Sequence, residues 1–129
     1  MYREMTQSNQ KWFACGAIHT RDDGNTFFHP MLPRWDDKMI VEDQHNFIGG
    51  VSVLSIKNEV KTRFDPNVKM LLDVDFYHNV FLNYGMPILY QDVLIANRVR
   101  DTNTLMAEVS ETDVIEEFKY CHQKYGIVL

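Results

Sequence analysis

Basic residues, cysteines and long apolar runs are all scarce in this sequence, and each scarcity excludes something. Lysine and arginine together number 13 against 18 aspartates and glutamates, a net charge of −5. The basic residues are scattered, so nucleic acid is not an expected partner, because neutralising a phosphate backbone needs gathered cations. No apolar run approaches the roughly 20 residues that span a bilayer. The opening Met1-Tyr2-Arg3-Glu4 does not have the pattern of a signal peptide. The expected location is therefore the cytoplasm, with no transmembrane segment. Cys15 and Cys121 lie far apart and match no metal-ligand spacing. In a reducing compartment they are expected as free, buried thiols. With 6 glycines and 4 prolines, no low-complexity tract stands out, and no repeat period recurs.

Several catalytic signatures are missing as well. There is no serine nucleophile elbow, no phosphate-cradling glycine loop and no dinucleotide fingerprint. The histidines (His19, His29, His45, His78 and His122) form no i, i+4 pair and have no cysteine at ligand spacing, so no metal site is expected. Asp22-Asp23 runs into Gly24-Asn25 and reads as a turn, and Asp36-Asp37 reads as part of a solvated connection.

What is present is a globular composition, 45% hydrophobic and 24% charged over 129 residues. That length suits one domain, residues 1–129, able to bury roughly two thirds of its unfolded surface. Residues 1–10 read as a short helix or a frayed end. Residues 12–19 read as a strand, with Gly16 marking a bulge or a close backbone approach. Asp23-Gly24 predicts a tight hairpin, with 26–29 as the return strand, ended by Pro30 and Pro33. Residues 47–57 have the composition of a buried strand, and Asp65-Pro66 marks a turn.

Residues 72–84 read as a helix, with Asp73 as N-cap. Val74, Tyr77, Phe81 and Tyr84 form its apolar stripe, and Gly85 and Pro87 end it. A strand is predicted over 88–96 and a loop over 101–107. A last helix opens at Ser110, with Asp113 completing a capping box and Val114, Phe118, Cys121 and Tyr125 as the buried stripe. Strands and helices are mixed, so the fold class is α/β or α+β.

The acids at the head of the 72–84 helix are the leading chemical feature. A carboxylate there is held as the anion by free amides and the helix dipole, and can take a proton from a substrate hydroxyl within hydrogen-bond reach. Asp at N-cap and N2 is also ordinary helix-start chemistry, and on spacing alone that is the favoured account of Asp73 and Asp75. Gly49-Gly50 marks either a bulge or a place where a ligand approaches the backbone.

In order, the motifs Ile48-Gly49-Gly50-Val51-Ser52, Phe64-Asp65, Asp73-Val74-Asp75, Asn83-Tyr84-Gly85 and Arg98-Val99-Arg100 resemble an inverting glycosyltransferase of family 2, with the GT-A fold. The likeness covers about residues 47–100, and 12–33 resembles the strand and hairpin that precede them. The resemblance implies that Asp73 is the catalytic base that deprotonates an acceptor hydroxyl. It implies that Gly49, Gly50, Asp75, Arg98 and Arg100 border the substrates, with Asp75 the more structural of the two acids. Leu72 stands where the family has Glu, and Arg100 where it has His, so Arg100 can face a diphosphate as a fixed cation without ligating metal.

The nucleotide-binding βαβ half and its Asp-x-Asp metal motif would lie upstream of the residue matching Met1. The expectation is therefore a partial GT-A-like mixed sheet with two main helices, the acceptor-side half of an enzyme. It would use a nucleotide sugar and a carbohydrate or lipid acceptor once a donor-binding half is supplied. Mg or Mn is expected only with that half. An unpaired sheet edge implies self-association or a partner chain. The alternative is a non-catalytic, truncated relative that binds carbohydrate or protein.

Overall fold

The computed structural model describes residues 2–21, 24–39, 45–98 and 110–127. Arg100, Asp22, Asp23 and the loop expected over 101–107 lie outside the described residues. The sheet is organised around Trp12–Thr20, β1, in which residues 12–17 are all buried. A strand covered on both faces needs a continuous run of apolar or small residues, and Trp12-Phe13-Ala14-Cys15-Gly16-Ala17 supplies it.

Phe27–Met31, β2, pairs antiparallel with the second half of β1, placing Thr20 opposite Phe27 and Ala17 opposite Met31. Leu54–Ile56, β3, pairs antiparallel with the first half, placing Trp12 opposite Ile56. Ile88–Arg98, β4, runs parallel to β1 from Phe13 opposite Ile88 to Thr20 opposite Arg98. A strand has only two edges. β4 therefore holds one edge of β1 along its length, and β2 and β3 share the other. Among the described residues three helices complete a mixed α/β fold: Tyr2–Gln7, α1; Leu72–Tyr84, α2; and Glu111–Lys124, α3.

Gly16 is the tightest point in the sheet. A Cβ there would lie 3.0 Å from the Asp92 carbonyl oxygen, 3.0 Å from a Leu32 methyl and 3.2 Å from the Met31 carbonyl oxygen. The pairing of β4 with β1 is interrupted on both sides of Gly16. The extra β4 residues bulge over the glycine, as expected of a close backbone approach in a strand.

α2 spans the residues expected of it. Its stripe faces the core: Val74 and Tyr77 are buried, and Phe81 and Tyr84 pack at the margin. Trp12 stacks on Tyr77 with ring centres 6.0 Å apart, and Trp35 meets Trp12 edge-on at 5.7 Å. Burying an aliphatic or phenyl side chain stabilises by roughly 1.5–3 kcal/mol, so this aromatic cluster helps to anchor α2 on the sheet. Gly85 ends the helix with φ +85°, and its carbonyl accepts from Trp12 Nε1 at 2.8 Å. α3 opens with the predicted capping box, Asp113 N donating to Ser110 Oγ and Ser110 N to Asp113 Oδ2. Both cysteines are free and buried, and burial pushes the Cys121 thiol up to about 12.

Three expectations need correction. Residues 47–57 are not one strand. They form a turn at Asn46–Gly49, a 3-10 turn at Val51–Val53 and only three strand residues in β3. Ile48 and Val53 are buried from within those turns, so the apolar composition reported burial and not extension. β2 does not stop before Pro30 but includes it. β1 is the only strand to which β2 is bonded among the described residues, and an edge strand tolerates a missing amide on its outer side. Asp73 is not the N-cap of α2. Leu71 holds that position without a side-chain cap, and Asp73 is the second helical residue. No helix among the described residues is long and apolar enough to cross a membrane.

Candidate active site

Asp73 sits half-buried in the first turn of α2. It has no hydrogen-bond or ion-pair partner among the described residues, and burial raises its carboxyl above the ordinary value. One turn further along the helix is Tyr77, on the same face as Asp73. Tyr77 is fully buried. Burial pushes its phenol up strongly, and the nearby Asp73 charge pushes it further. The Tyr77 hydroxyl donates to the carbonyl of Gly49 at 2.6 Å, which binds the start of α2 to the Gly49-Gly50 turn.

That turn is built by Asn46. Its Oδ1 accepts from the amides of Ile48 at 3.0 Å and Gly49 at 2.9 Å, and its Nδ2 donates to the Gly49 carbonyl at 2.8 Å. Gly49 has φ +119°, which only glycine adopts without strain. With Tyr77 and Asn46 both donating to its carbonyl, and its amide engaged, Gly49 has no backbone group left for a ligand. Gly50 differs. Its φ is −68°, and a Cβ there would meet only Ser52 Oγ, at 4.0 Å. Neither dihedral nor neighbours require glycine at 50, and the space beside it is open.

The turn also reaches the end of β4. Ser52 Oγ donates to Asn97 Oδ1 at 3.0 Å, and Asn97 precedes the exposed Arg98. Hydrogen bonds thus tie Tyr77 of α2 to the Gly49-Gly50 turn, and Ser52 just after that turn to Asn97 near the end of β4.

Asp75 does not share that space. It is 1% exposed. Both of its carboxylate oxygens accept from Lys124 Nζ at 3.0 Å, and Oδ1 also accepts from the Tyr125 hydroxyl at 2.6 Å. Lys124 bridges onward to Asp65 Oδ2 at 2.9 Å, where the Tyr120 hydroxyl also donates at 2.8 Å. The Asn67 amide on Asp65, helped by Lys124 and Tyr120, holds that carboxyl down at about 2. Burial pulls the Lys124 ammonium down, but its bonds to Asp65 and Asp75 outweigh this and raise it. His78 packs edge-on against Tyr125 at 4.5 Å, and burial lowers it despite the Asp75 charge nearby. Asp75 therefore ties α2 to α3, and its oxygens are already occupied.

Asn46 and Tyr77 are the site residues that sequence inspection passed over. Asn46 carried a signal, since an Asn shortly before a glycine is a common turn-former. Tyr77 carried none beyond its place in the apolar stripe. Elsewhere, Asp36 Oδ1 accepts from the Lys38 amide at 2.9 Å and Asp37 Oδ1 from Trp35 Nε1, so both acids of that doublet serve a local turn. Among the described residues no group of three or more His, Cys, Asp or Glu side chains is placed to hold a metal ion. No protein-family model, curated protein or solved structure matches the chain.

Proposed function

We propose that the chain is the acceptor-side half of an inverting, GT-A-type glycosyltransferase, with Asp73 as its general base. The observation that carries this reading is the state and place of Asp73. It is a half-buried carboxylate with its proton affinity raised and no partner among the described residues, one helical turn before Tyr77, which bonds to the Gly49-Gly50 turn. A base works best when its pKa lies nearer the working pH than that of a free carboxyl. Burial moves Asp73 in that direction.

In the proposed reaction the acceptor hydroxyl oxygen attacks the anomeric carbon of a nucleotide sugar. The bond to the diphosphate breaks on the opposite face, which inverts the anomeric centre. The hydroxyl proton passes to an Asp73 oxygen and then to solvent. Gly50, with open space beside it, lets the acceptor lie close to the backbone, and Arg98 offers a fixed cation to the leaving diphosphate. Asp75 has no direct part, because Lys124 and Tyr125 hold it. In this reading a divalent ion, the nucleotide and their ligands belong to a donor-binding half on another segment or chain.

The test is reconstitution. The DNA immediately upstream should encode a donor half with an Asp-x-Asp segment. Co-expression of the two should give nucleoside diphosphate release that Asp73→Asn abolishes. Full activity in that variant would remove Asp73 from the chemistry. The alternative, a non-catalytic carbohydrate- or protein-binding relative, draws on the closed state of Asp75 and Gly49, and gains if no donor half is encoded upstream. Association with a second copy or a partner belongs to the same proposal. β4 is bonded to β1 alone among the described strands, and its Val93 and Leu94 are 43% and 53% exposed. Ultracentrifugation that finds only monomer at high concentration would count against self-association.

A further inference from the structure

Side chains on a strand alternate between the two faces of a sheet. Trp12 and Ala14 of β1 belong to the core that includes Tyr77, while Phe13 is not part of that cluster and stacks on Tyr90 instead. Across the sheet from Trp12 and Tyr77, Phe13 lines a cavity between α1 and β3. Its volume is about 600 Å³, and its apolar lining comes from Tyr2, Met5, Phe13 and Ile56. Ligand sites commonly fall at roughly 300–1,000 Å³.

A second cleft of about 350 Å³ adjoins it. The two share Ile56, Lys57 and Asn58, and the second is completed by Val60, Lys61 and Arg63. Its charge departs from that of the chain. The protein carries −5 overall, yet residues 57–63 hold Lys57, Lys61 and Arg63 against the single acid Glu59. Glu59 is already engaged by Lys11 at 2.7 Å. Lys57 Nζ donates to the Ser8 carbonyl and Lys61 Nζ to the Asn58 carbonyl. No ion pair joins Lys57, Lys61 or Arg63 to a carboxylate among the described residues. Lys57 lines both clefts, and a lysine presents an apolar stem under a cationic head. An apolar trough therefore runs directly into a cationic end.

We propose that this paired cleft binds a single-chain fatty carboxylate. The hydrocarbon chain lies on Tyr2, Met5, Phe13 and Ile56, and the carboxylate meets Lys57, Lys61 and Arg63. Arginine suits that head group because its planar fork matches a carboxylate. The apolar trough lies on the Phe13 side of β1, opposite Trp12, and the proposal does not depend on the transfer reaction.

The experiment titrates the whole chain by calorimetry with decanoate, decanol and decyltrimethylammonium, all below their micelle concentrations. Decanoate should bind at least tenfold more tightly than decanol, and decyltrimethylammonium more weakly still. Raising the salt should narrow the difference, because the cations are solvent-accessible and screened. The double variant Lys61→Glu and Arg63→Glu should erase the preference for decanoate. Lys61→Gln with Arg63→Gln should reduce it while disturbing the fold less. Ile56→Asp should weaken all three ligands. Equal affinity for the three head groups would mean apolar adsorption and overturn the proposal. So would no binding of decanoate, or an unchanged preference in both double variants.

Discussion

Asp73 and Asp75 lie two residues apart on one helix, yet their surroundings have opposite chemistry. Asp73 is half-buried and accepts no hydrogen bond among the described residues, and burial destabilises its carboxylate. Asp75 is 1% exposed and receives Lys124 and Tyr125. The separation follows from helix geometry. Each residue turns the helix by about 100°, so neighbours at i and i+2 point to nearly opposite sides. One side of α2 faces the Gly49 turn through Tyr77, and the other faces α3. Two acids that look like a pair in sequence cannot work as a pair once the helix includes both. One has no partner among the described residues, while the other carries the contact between helices.

The largest break in this comparison comes from removing the cation on the Asp75 side. Lys124→Met removes the ammonium that bridges Asp75 and Asp65 and leaves the buried Asp75 carboxylate with the Tyr125 hydroxyl but no cation among the described residues. Breaking a buried ion pair by removing one partner costs on the order of 3–5 kcal/mol. Urea unfolding should show that loss. Adding Asp75→Asn to the Lys124→Met background should restore part of it, since the uncompensated charge is then gone. A loss below about 1 kcal/mol would mean that the Lys124 bridge matters little to the docking of α3.

The two glycines allow a second, smaller contrast. Gly49→Ala has room for its methyl, the nearest contacts being Val53 methyls at 3.7 Å, but must hold φ +119°. Such strain costs roughly 1–3 kcal/mol. Gly50→Ala faces neither crowding nor an unusual dihedral. It should stabilise by about 0.4–1 kcal/mol through the unfolded chain. If Gly50 borders an acceptor, the same variant should lower transfer in the reconstituted enzyme while raising stability. Destabilisation by both variants would show that the turn tolerates no side chain at either position.

Local signals made much of this fold legible in advance. The bounds of α2 and the Ser110–Asp113 capping box depend on neighbours in sequence, and Gly16 stood out as a glycine inside a strand run, although its crowding comes from the distant Met31, Leu32 and Asp92. The stretch 47–57 misled because a buried turn and a buried strand have the same apolar composition. The site was half legible. Asp73 and the double glycine stood out, but what distinguishes Gly49 from Gly50 is a dihedral angle fixed by Asn46 and Tyr77. The Tyr77 hydroxyl finds its partner 28 residues away, and Lys124 finds Asp75 49 residues away. Neither pairing leaves a mark on the sequence around it.

Acid titration separates the two regions by the sign of their response. Asp65, on the α3 side, has its folded pKa depressed to about 2 from an ordinary 3.8. Its contribution is fully present above the ordinary value and is lost as pH falls through the folded value. That amounts to about 2 kcal/mol. Asp73 is shifted the other way. Between its ordinary and its raised value the folded state binds more protons than the unfolded state, so stability rises as pH falls through that window. Asp73→Asn should remove this rise and leave the later loss from Asp65 intact. Because Asp73 is not the N-cap of α2, the substitution removes a buried charge without removing a cap. At neutral pH it should be neutral or stabilise by a few tenths of a kcal/mol, within the usual range for substitutions that leave no packing defect. Denaturant melts of the two proteins from pH 7 down to the acid limit would show it. A variant that loses more than about 1 kcal/mol at pH 7 would mean that Asp73 is held by a partner after all. The unpartnered carboxylate on which the proposed base depends would then be gone.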